Sequence, residues 1–262
     1  MKTQSVRSLQ RALTLLEELA KSRHGLTLSE LARKLRLPKS TTHCLLLTLE
    51  RCGYLHRGEQ SDRFMFGLKL FGLANMAPLG INLREEARPH LRALMDLTRL
   101  TVHMAIMDRS EVVLVEKIEP LGPLRVATWV GKRMDAHCTG VGKAIIANFT
   151  EEELDRLLKE HGLPRHNENT IVSPKRLKNH LAEIRKLGYS VEDEEDEIGA
   201  RCIGAPLVDS RGKVLGAISV CGTTEEITPT NLSFLSQRVM QTASAISQRL
   251  CFTQGEHTID GQ

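Results

Sequence analysis

The chain has 262 residues, 41% of them hydrophobic and 26% charged, with a formal net charge of +4, which suits one or two globular domains that each bury a core. Aromatic residues make up only 3%, which argues against a stacking platform for single-stranded nucleic acid. No apolar run reaches membrane-spanning length, and Met1-Lys2-Thr3-Gln4-Ser5 lacks a signal-peptide core, so a cytoplasmic protein with no membrane partner is expected.

Six cysteines, Cys44, Cys52, Cys138, Cys202, Cys221 and Cys251, show no CxxC pairing and no zinc-ligand rhythm. They suggest a reducing compartment and thiols used as small buried hydrophobes. Neither a metal nor a cofactor is expected.

In chain order, Val6 to Lys21 reads as an amphipathic helix with Leu9, Leu13, Leu16 and Leu19 on its stripe. Leu26 to Leu55, LTLSELARKLRLPKSTTHCLLLTLERCGYL, then carries the strongest signal. Thr27 and Glu30 have capping-box spacing, and Leu28, Leu31, Ala32 and Leu35 recur on one helical face. Leu37-Pro38 breaks that helix, and Pro38 suits the first position of the next. The second helix is expected from about Lys39 to Arg51, with Leu45, Leu46 and Leu49 inward. Lys39, Ser40, Thr41, Thr42 and His43 open it, and short hydroxyls, a cation and helix N-terminal amides can approach phosphate closely. Two helices around such a turn predict a helix-turn-helix with its second helix in the DNA major groove.

Gly53 ends the second helix. Tyr54–Arg57 and Phe64–Phe66 read as a hairpin, or wing, with Arg57 and Arg63 flanking its tip as candidate phosphate contacts. Charge agrees: residues 1–77 hold 13 Lys+Arg against 6 Asp+Glu, net +7, whereas residues 78–262 hold 23 against 26, net −3. The positive excess lies on the proposed DNA reader, as phosphate binding requires.

Leu68 to Met76 continues as helix, Ala77-Pro78-Leu79-Gly80 breaks it, and Leu83 to Leu97 resumes it with Pro89 as a kink or boundary. Strands are expected at Thr101–Met107, Val112–Ile118, Leu124–Val130, Tyr189–Glu192, Ala200–Val208 and Val214–Cys221, and helices at 140–149, 151–160, 174–187 and 229–250. Strands meeting through short hairpins, with helices kept apart from them, predict an α+β sensor domain on an antiparallel sheet.

Three blocks, GLTLSELARKLRLPKSTTHCLLLTLERCGYL, DAHCTGVGKAIIA at 135–147 and GARCIGAPLVDSRGKVLGAISVCG at 199–222, resemble the IclR-type bacterial transcription regulators over nearly the full length. The resemblance implies a winged helix-turn-helix (residues 1–67) and a GAF-like effector-binding domain (99–252); the stretch between them (68–98) reads as a helical linker, and the polar end (253–262) as a disordered tail. It implies a dimer or tetramer on double-stranded, palindromic operator DNA, whether as repressor or activator, controlled by an effector. The family often carries arginine where this chain has Cys44, and arginine grips guanine with two bonds. Specificity is therefore expected to rest on Ser40, Thr41, Thr42 and His43.

Cys138-Thr139-Gly140-Val141-Gly142-Lys143-Ala144 reads as a small-residue turn entering a helix, open to a carboxylate. It lacks the GxxxxGK[ST] pattern of a nucleotide loop. The resemblance places Gly140, Val141, Glu192, Cys202, Ser219 and Cys221 at the effector pocket, although relatives commonly have aspartate at 192 and serine at 221. Leu124, Val126 and Trp129 are expected as apolar walls, and a small organic acid, aromatic ones included, as the ligand. The acidic run Glu192–Glu197 is expected as a solvated loop rather than a cation site. Two other readings are a thiol-based redox sensor using Cys138, Cys202 and Cys221, and a hydrolase built on a Cys202–His137 pair. The expectation is a regulator, not an enzyme, whose effector shifts two DNA-binding domains through the 68–98 linker.

Overall fold

The computed structural model describes residues 6–22, 24–58, 61–75, 81–122 and 127–256. The chain divides into two compact units, Met1–Ile81 and Asn82–Gln262.

The first unit runs α1 (Arg7–Ala20), β1 (Leu26–Thr27), α2 (Leu28–Leu35), α3 (Lys39–Arg51), β2 (Leu55–Arg57), β3 (Arg63–Phe66) and α4 (Leu68–Asn75). The start of α2 is a complete capping box: the Thr27 amide donates to Glu30 Oε2 at 2.8 Å, and the Glu30 amide returns to Thr27 Oγ1 at 3.3 Å. Its end is a left-handed Arg36 (φ 51°). Pro38 is extended (ψ 142°) and caps α3 from outside, one position earlier than its fixed φ alone suggested; its carbonyl accepts the Thr42 amide at 3.0 Å. Gly53, at φ +79°, lets the chain leave α3, with its amide on the Glu50 carbonyl and that of Tyr54 on Leu49, a turn that only glycine takes without strain.

Leu15, Leu19, Leu26, Leu31, Leu46, Leu55 and Phe64 form the core of this unit. The stripe expected on α1 is therefore partly displaced. Leu15 and Leu19 face the core, whereas Leu9 and Leu13 stand outward with Val6, because α1 carries leucines on two faces and one suffices. The wing also gains a strand: β1 joins β3, pairing Leu26 with Phe64, opposite the β2–β3 pairing of Leu55 with Phe66.

The second unit runs α5 (Ile81–Thr98), β4 (Thr101–Asp108), β5 (Glu111–Ile118), β6 (Arg133–Asp135), α6 (Gly140–Ile146), α7 (Glu151–Glu160), α8 (Pro174–Leu187), β7 (Ser190–Asp193), β8 (Ala200–Val208), β9 (Val214–Thr223) and α9 (Leu232–Glu256). Among the described residues its strands form one antiparallel sheet in the order β6-β5-β4-β9-β8-β7. Helices cover both faces. Leu91 and Leu94 of α5 and Val239 and Ile246 of α9 pack on Val102, Met104, Ile218 and Val220. Ile145 and Ile146 of α6, Leu154 of α7, and Leu177 and Leu181 of α8 pack on Ala105, Val112, Leu114 and Ala217.

Three expectations change here. Pro89 does not bound α5, which continues through it while Ala87, Leu91 and Leu94 hold its inner face in the core. Ala127–Val130 is not a strand. A turn at Gly131 (φ +91°) first brings the chain to the sheet edge, where Leu114 exchanges backbone bonds with Gly131 and Lys132, and the edge strand is β6. Leu124 and Val126 lie outside the described residues, as do positions 257–262 of the expected tail, and α9 reaches Glu256.

The start of α6 lies directly on β8. A β-carbon on Gly204 would sit 2.5 Å from the Gly140 carbonyl oxygen, and that carbonyl accepts the buried Ser190 hydroxyl at 2.6 Å. Only a glycine on the strand allows this approach, which brings the 138–141 turn against the sheet.

Candidate DNA-reading face and effector pocket

Helical geometry sorts the opening of α3. Thr42, Leu45, Leu46 and Leu49 follow i, i+3, i+4, i+7 spacing and turn inward. Thr42 is fully buried, with its hydroxyl on the Pro38 carbonyl at 3.1 Å. It is removed from the set of DNA-facing residues, because a buried hydroxyl already bonded to backbone cannot reach a groove. The opposite face exposes Lys39, Ser40, His43, Cys44, Thr48 and Arg51, with Thr41 half-buried at its edge. Thr48 and Arg51 are not singled out by the sequence reading, although i+8 spacing from Ser40 and i+4 spacing from Cys44 place Thr48 on the same face.

The wing arginines differ. Arg57 is exposed at the hairpin, 2.5 Å from Asp62 and 5.7 Å above the Phe64 ring. Arg63 turns inward instead. Its Nη1 donates to the Gly25 carbonyl at 2.8 Å and to Glu30 at 3.3 Å, tying β3 to the capping box. That contact ties Arg63 Nη1 to the framework, while the side chain remains 38% exposed.

In the second unit, register assembles a polar site from distant segments. One cross-strand row runs Lys117, His103, Ser219, Gly204, Ser190, and the next runs Thr101, Cys221, Cys202, Glu192. Side chains of these rows meet the 138–141 turn and the 128–134 segment around a cavity lined by His103, Thr128, Lys132, Gly140, Val141, Glu192, Cys202, Ser219 and Cys221, among others. Its volume is about 40 Å³, room for a few waters, since one water needs roughly 10–15 Å³. His103 is the hub: Nε2 lies 2.8 Å from the Thr128 hydroxyl and Nδ1 3.2 Å from Cys221 Sγ.

Glu192 is buried, and one of its oxygens accepts the Glu195 amide at 2.7 Å and the Asp196 amide at 3.3 Å. Burial pushes its carboxyl up to about 7, with these bonds opposing. Burial also opposes ionisation of Cys221, but Cys202 and His103 outweigh it and hold that thiol down. Cys202 is pushed up by its bond to Cys221, by burial and by Glu192.

Of the expected pocket residues, Gly140, Val141, Glu192, Cys202, Ser219 and Cys221 line the cavity. Trp129 does not: it is 44% exposed, with Lys132 Nζ 5.5 Å from its ring centroid, because the segment expected as a strand wall is a turn. The run Glu192–Glu197 is not a solvated loop. Glu192 and Glu195 are buried, and Glu195 pairs with the fully buried Lys143, whose ammonium also donates to the Val191 carbonyl at 2.7 Å. The proposed Cys202–His137 pair is not formed either. His137 bonds the Pro164 carbonyl at 3.0 Å, and the imidazole that meets a pocket thiol is His103. Sequence reading missed His103, Thr128 and Lys132, which share a site only through strand pairing.

Known proteins agree with this architecture. Residues 8–59 match the family described as IclR helix-turn-helix domain, and residues 79–248 match Bacterial transcriptional regulator IclR C-terminal. The chain is 34% identical over 247 residues to the Transcriptional repressor IclR of Escherichia coli (strain K12), covering 94% of this chain and 90% of that protein. It is 36% identical over 244 residues to the HTH-type transcriptional regulator BhcR of Paracoccus denitrificans, covering 92% and 86%. The crystal structure of the Thermotoga maritima IclR superposes with a TM-score of 0.78 at 31% identity, covering 94% of this chain and 99% of that one. These relatives are transcriptional regulators rather than enzymes, and among the described residues no helix is long and apolar enough to cross a membrane. The chain belongs to the IclR family of bacterial transcriptional regulators.

Proposed function

We propose that this regulator binds a palindromic operator as a dimer or dimer of dimers in the cytoplasm, and that a small carboxylic acid in the second unit controls it. The observation that carries the reading is a division of chemistry. One unit presents a basic helix-turn-helix whose outward α3 face is exposed, and the other holds a small cavity rimmed by polar side chains, too small for a macromolecule. Lys39, Ser40, Thr41, His43 and Arg57 are assigned to DNA, with Cys44 and Thr48 added from their exposure. Self-association is supported by apolar side chains left outward on the first unit: Leu9 and Leu13 on α1, Phe66 at the end of β3, and Leu68 and Phe71 on α4. Such groups mark interaction surfaces more often than solvent-facing ones.

Lys132 and Thr128 offer an anion a cation and a hydroxyl, against the carboxyls of Glu192, Asp196 and Glu197 that also line the cavity. Glu192 must then carry a proton, because two carboxylates in one desolvated site repel. Its raised value has two consequences. For the protein alone, the neutral group contributes stability below about 4.5, and that contribution is lost as pH rises through about 7. For binding, acid affinity is expected to be level between the acid's own carboxyl pKa and about pH 6 and to fall roughly tenfold per unit above 7, one proton being taken up. Calorimetry with a panel of short carboxylic acids tests this, and Glu192→Gln should remove the slope. A slope that survives in Glu192→Gln would place the proton elsewhere, and binding of only neutral or cationic compounds would end the acid reading. Reciprocal weakening or strengthening of acid and operator affinities is the mark of control.

A thiol-based reading has one observation in its favour, that Cys202 stands directly opposite Cys221 in the β8–β9 register. DNA affinity that answers peroxide and no acid would favour it over the effector reading.

A further inference from the structure

Beside the effector cavity, a second group of side chains converges at the start of α6. We propose that Asp135, Cys138, His161 and His166 form a binding site for a divalent transition-metal ion of zinc-like softness.

Ligand atoms of Asp135, Cys138 and His166 lie within 4.8 Å of one another. His166 Nε2 is 2.7 Å from one Asp135 oxygen, and His161 Nε2 contacts the other. Ligands at about 2.0–2.3 Å from a tetrahedral ion lie roughly 3.3–3.8 Å apart, so side-chain motion of about an ångström closes the Asp135–Cys138–His166 set, and His161, held on the other Asp135 oxygen, would swing in as the fourth ligand. The spacing fits as well. Asp135-x2-Cys138 and His161-x4-His166 each have the within-pair spacing of a zinc site, with aspartate in place of one cysteine and a longer stretch of 22 residues between the pairs. The intervening stretch holds α6 and α7, whose packing on the sheet brings the pairs together. One sulfur, two imidazoles and one carboxylate select a borderline ion over calcium or magnesium.

Electrostatics point the same way. Asp135, Asp196, Glu192 and Glu195 all act on Cys138, and the buried ammonium nearby, Lys143, is paired with Glu195. Asp196 Oδ1 lies 3.9 Å from Cys138 Sγ and 3.8 Å from His166 Nδ1, a second carboxylate beside the ligand set. Burial tends to raise Asp135, but bonds from His161 and His166 outweigh it and keep it a carboxylate. On binding, the Cys138 S–H bond breaks, its proton goes to solvent, and Sγ bonds the ion as thiolate. The two imidazoles bind through neutral nitrogen lone pairs.

The test uses the full chain, stripped with a chelator and titrated with Co2+. The expected result is one ion per chain, a thiolate-to-cobalt absorption band, displacement by Zn2+, and a higher melting temperature with Zn2+. Cys138→Ser should lose the band. His166→Gln, at a half-exposed position that folding tolerates, should weaken Co2+ by roughly 100-fold or more, beyond the loss typical of an outer-shell partner. Cys202→Ser and Cys221→Ser should leave band and affinity unchanged. If Cys138→Ser does not fold, the His161→Gln/His166→Gln double variant decides. No saturable band overturns the proposal. So does a band lost in Cys202→Ser or Cys221→Ser but kept in the histidine variants, which would put the ion in the effector cavity. Weak binding untouched by every variant would be an adventitious ion only, and overturns it equally.

Discussion

Replacing Lys143 with methionine is expected to lower the unfolding free energy of the second unit by about 3–5 kcal/mol, the usual cost of leaving one member of a buried ion pair without its partner. Lys143 is fully buried on α6, and its ammonium meets Glu195, the Val191 carbonyl at 2.7 Å and His180 Nε2 at 3.2 Å. Methionine matches the length of the stem, so packing is largely kept and the loss is electrostatic. Glu195 then remains buried with no cation, and its Oε2 already lacks a hydrogen-bond partner among the described residues. The double variant Lys143→Met/Glu195→Gln should recover at least half of the loss, because it removes the stranded charge. Urea unfolding followed by circular dichroism measures both. A single-variant loss under about 1 kcal/mol, or a double variant worse than the single, would show that Lys143 does not hold the 191–196 segment against α6.

That segment shows where the sequence stops being legible. The capping box at Thr27 and Glu30, the turn around Pro38 and the end of α3 at Gly53 are local, each set by residues within a few positions, and they read correctly. Thr42 was also readable, since its spacing to Leu45, Leu46 and Leu49 is that of a core position. A hydroxyl suggests an outward position, whereas in the fold the Pro38 carbonyl satisfies that hydroxyl and the side chain counts as apolar volume. Leu9 and Leu13 erred the other way, apolar yet exposed, because a helix with leucines on two faces does not say which one its own domain will cover.

The effector cavity is a different case. Cys202, Ser219 and Cys221 lie on a hairpin and can be paired from sequence. His103 and Glu192 join them only when β4 pairs with β9 and β7 with β8, a register set by the whole sheet. Six consecutive acids look like a solvated loop for the same reason. Nothing in the run itself reveals that a lysine about 50 positions earlier, and two backbone amides within the run, will meet two of them. Histidines 161 and 166 likewise gain a partner in Asp135 only after α6 and α7 have folded between them.

Cys44→Arg is expected to change which base pairs the regulator prefers, by about 1–3 kcal/mol at one position of each half-site, the value of a two-pronged arginine–guanine contact. Cys44 is exposed on the outward face of α3, one turn after Ser40 and one before Thr48, so an arginine there would project where the second helix of a helix-turn-helix meets base edges. Selection from a random duplex pool should then enrich guanine at one additional position with Cys44→Arg over the parent. In the parent background, Ser40→Ala/His43→Ala should reduce operator affinity at least about tenfold. Thr42→Val should leave affinity and selectivity unchanged, costing only the back-bond to Pro38, about 0.5–1.5 kcal/mol of stability. The three variants separate outward from inward positions on one helix. If Thr42→Val altered selectivity while Cys44→Arg did not, α3 would have to present a face other than the one exposed here, and the inward leucine stripe would be the first thing to re-examine.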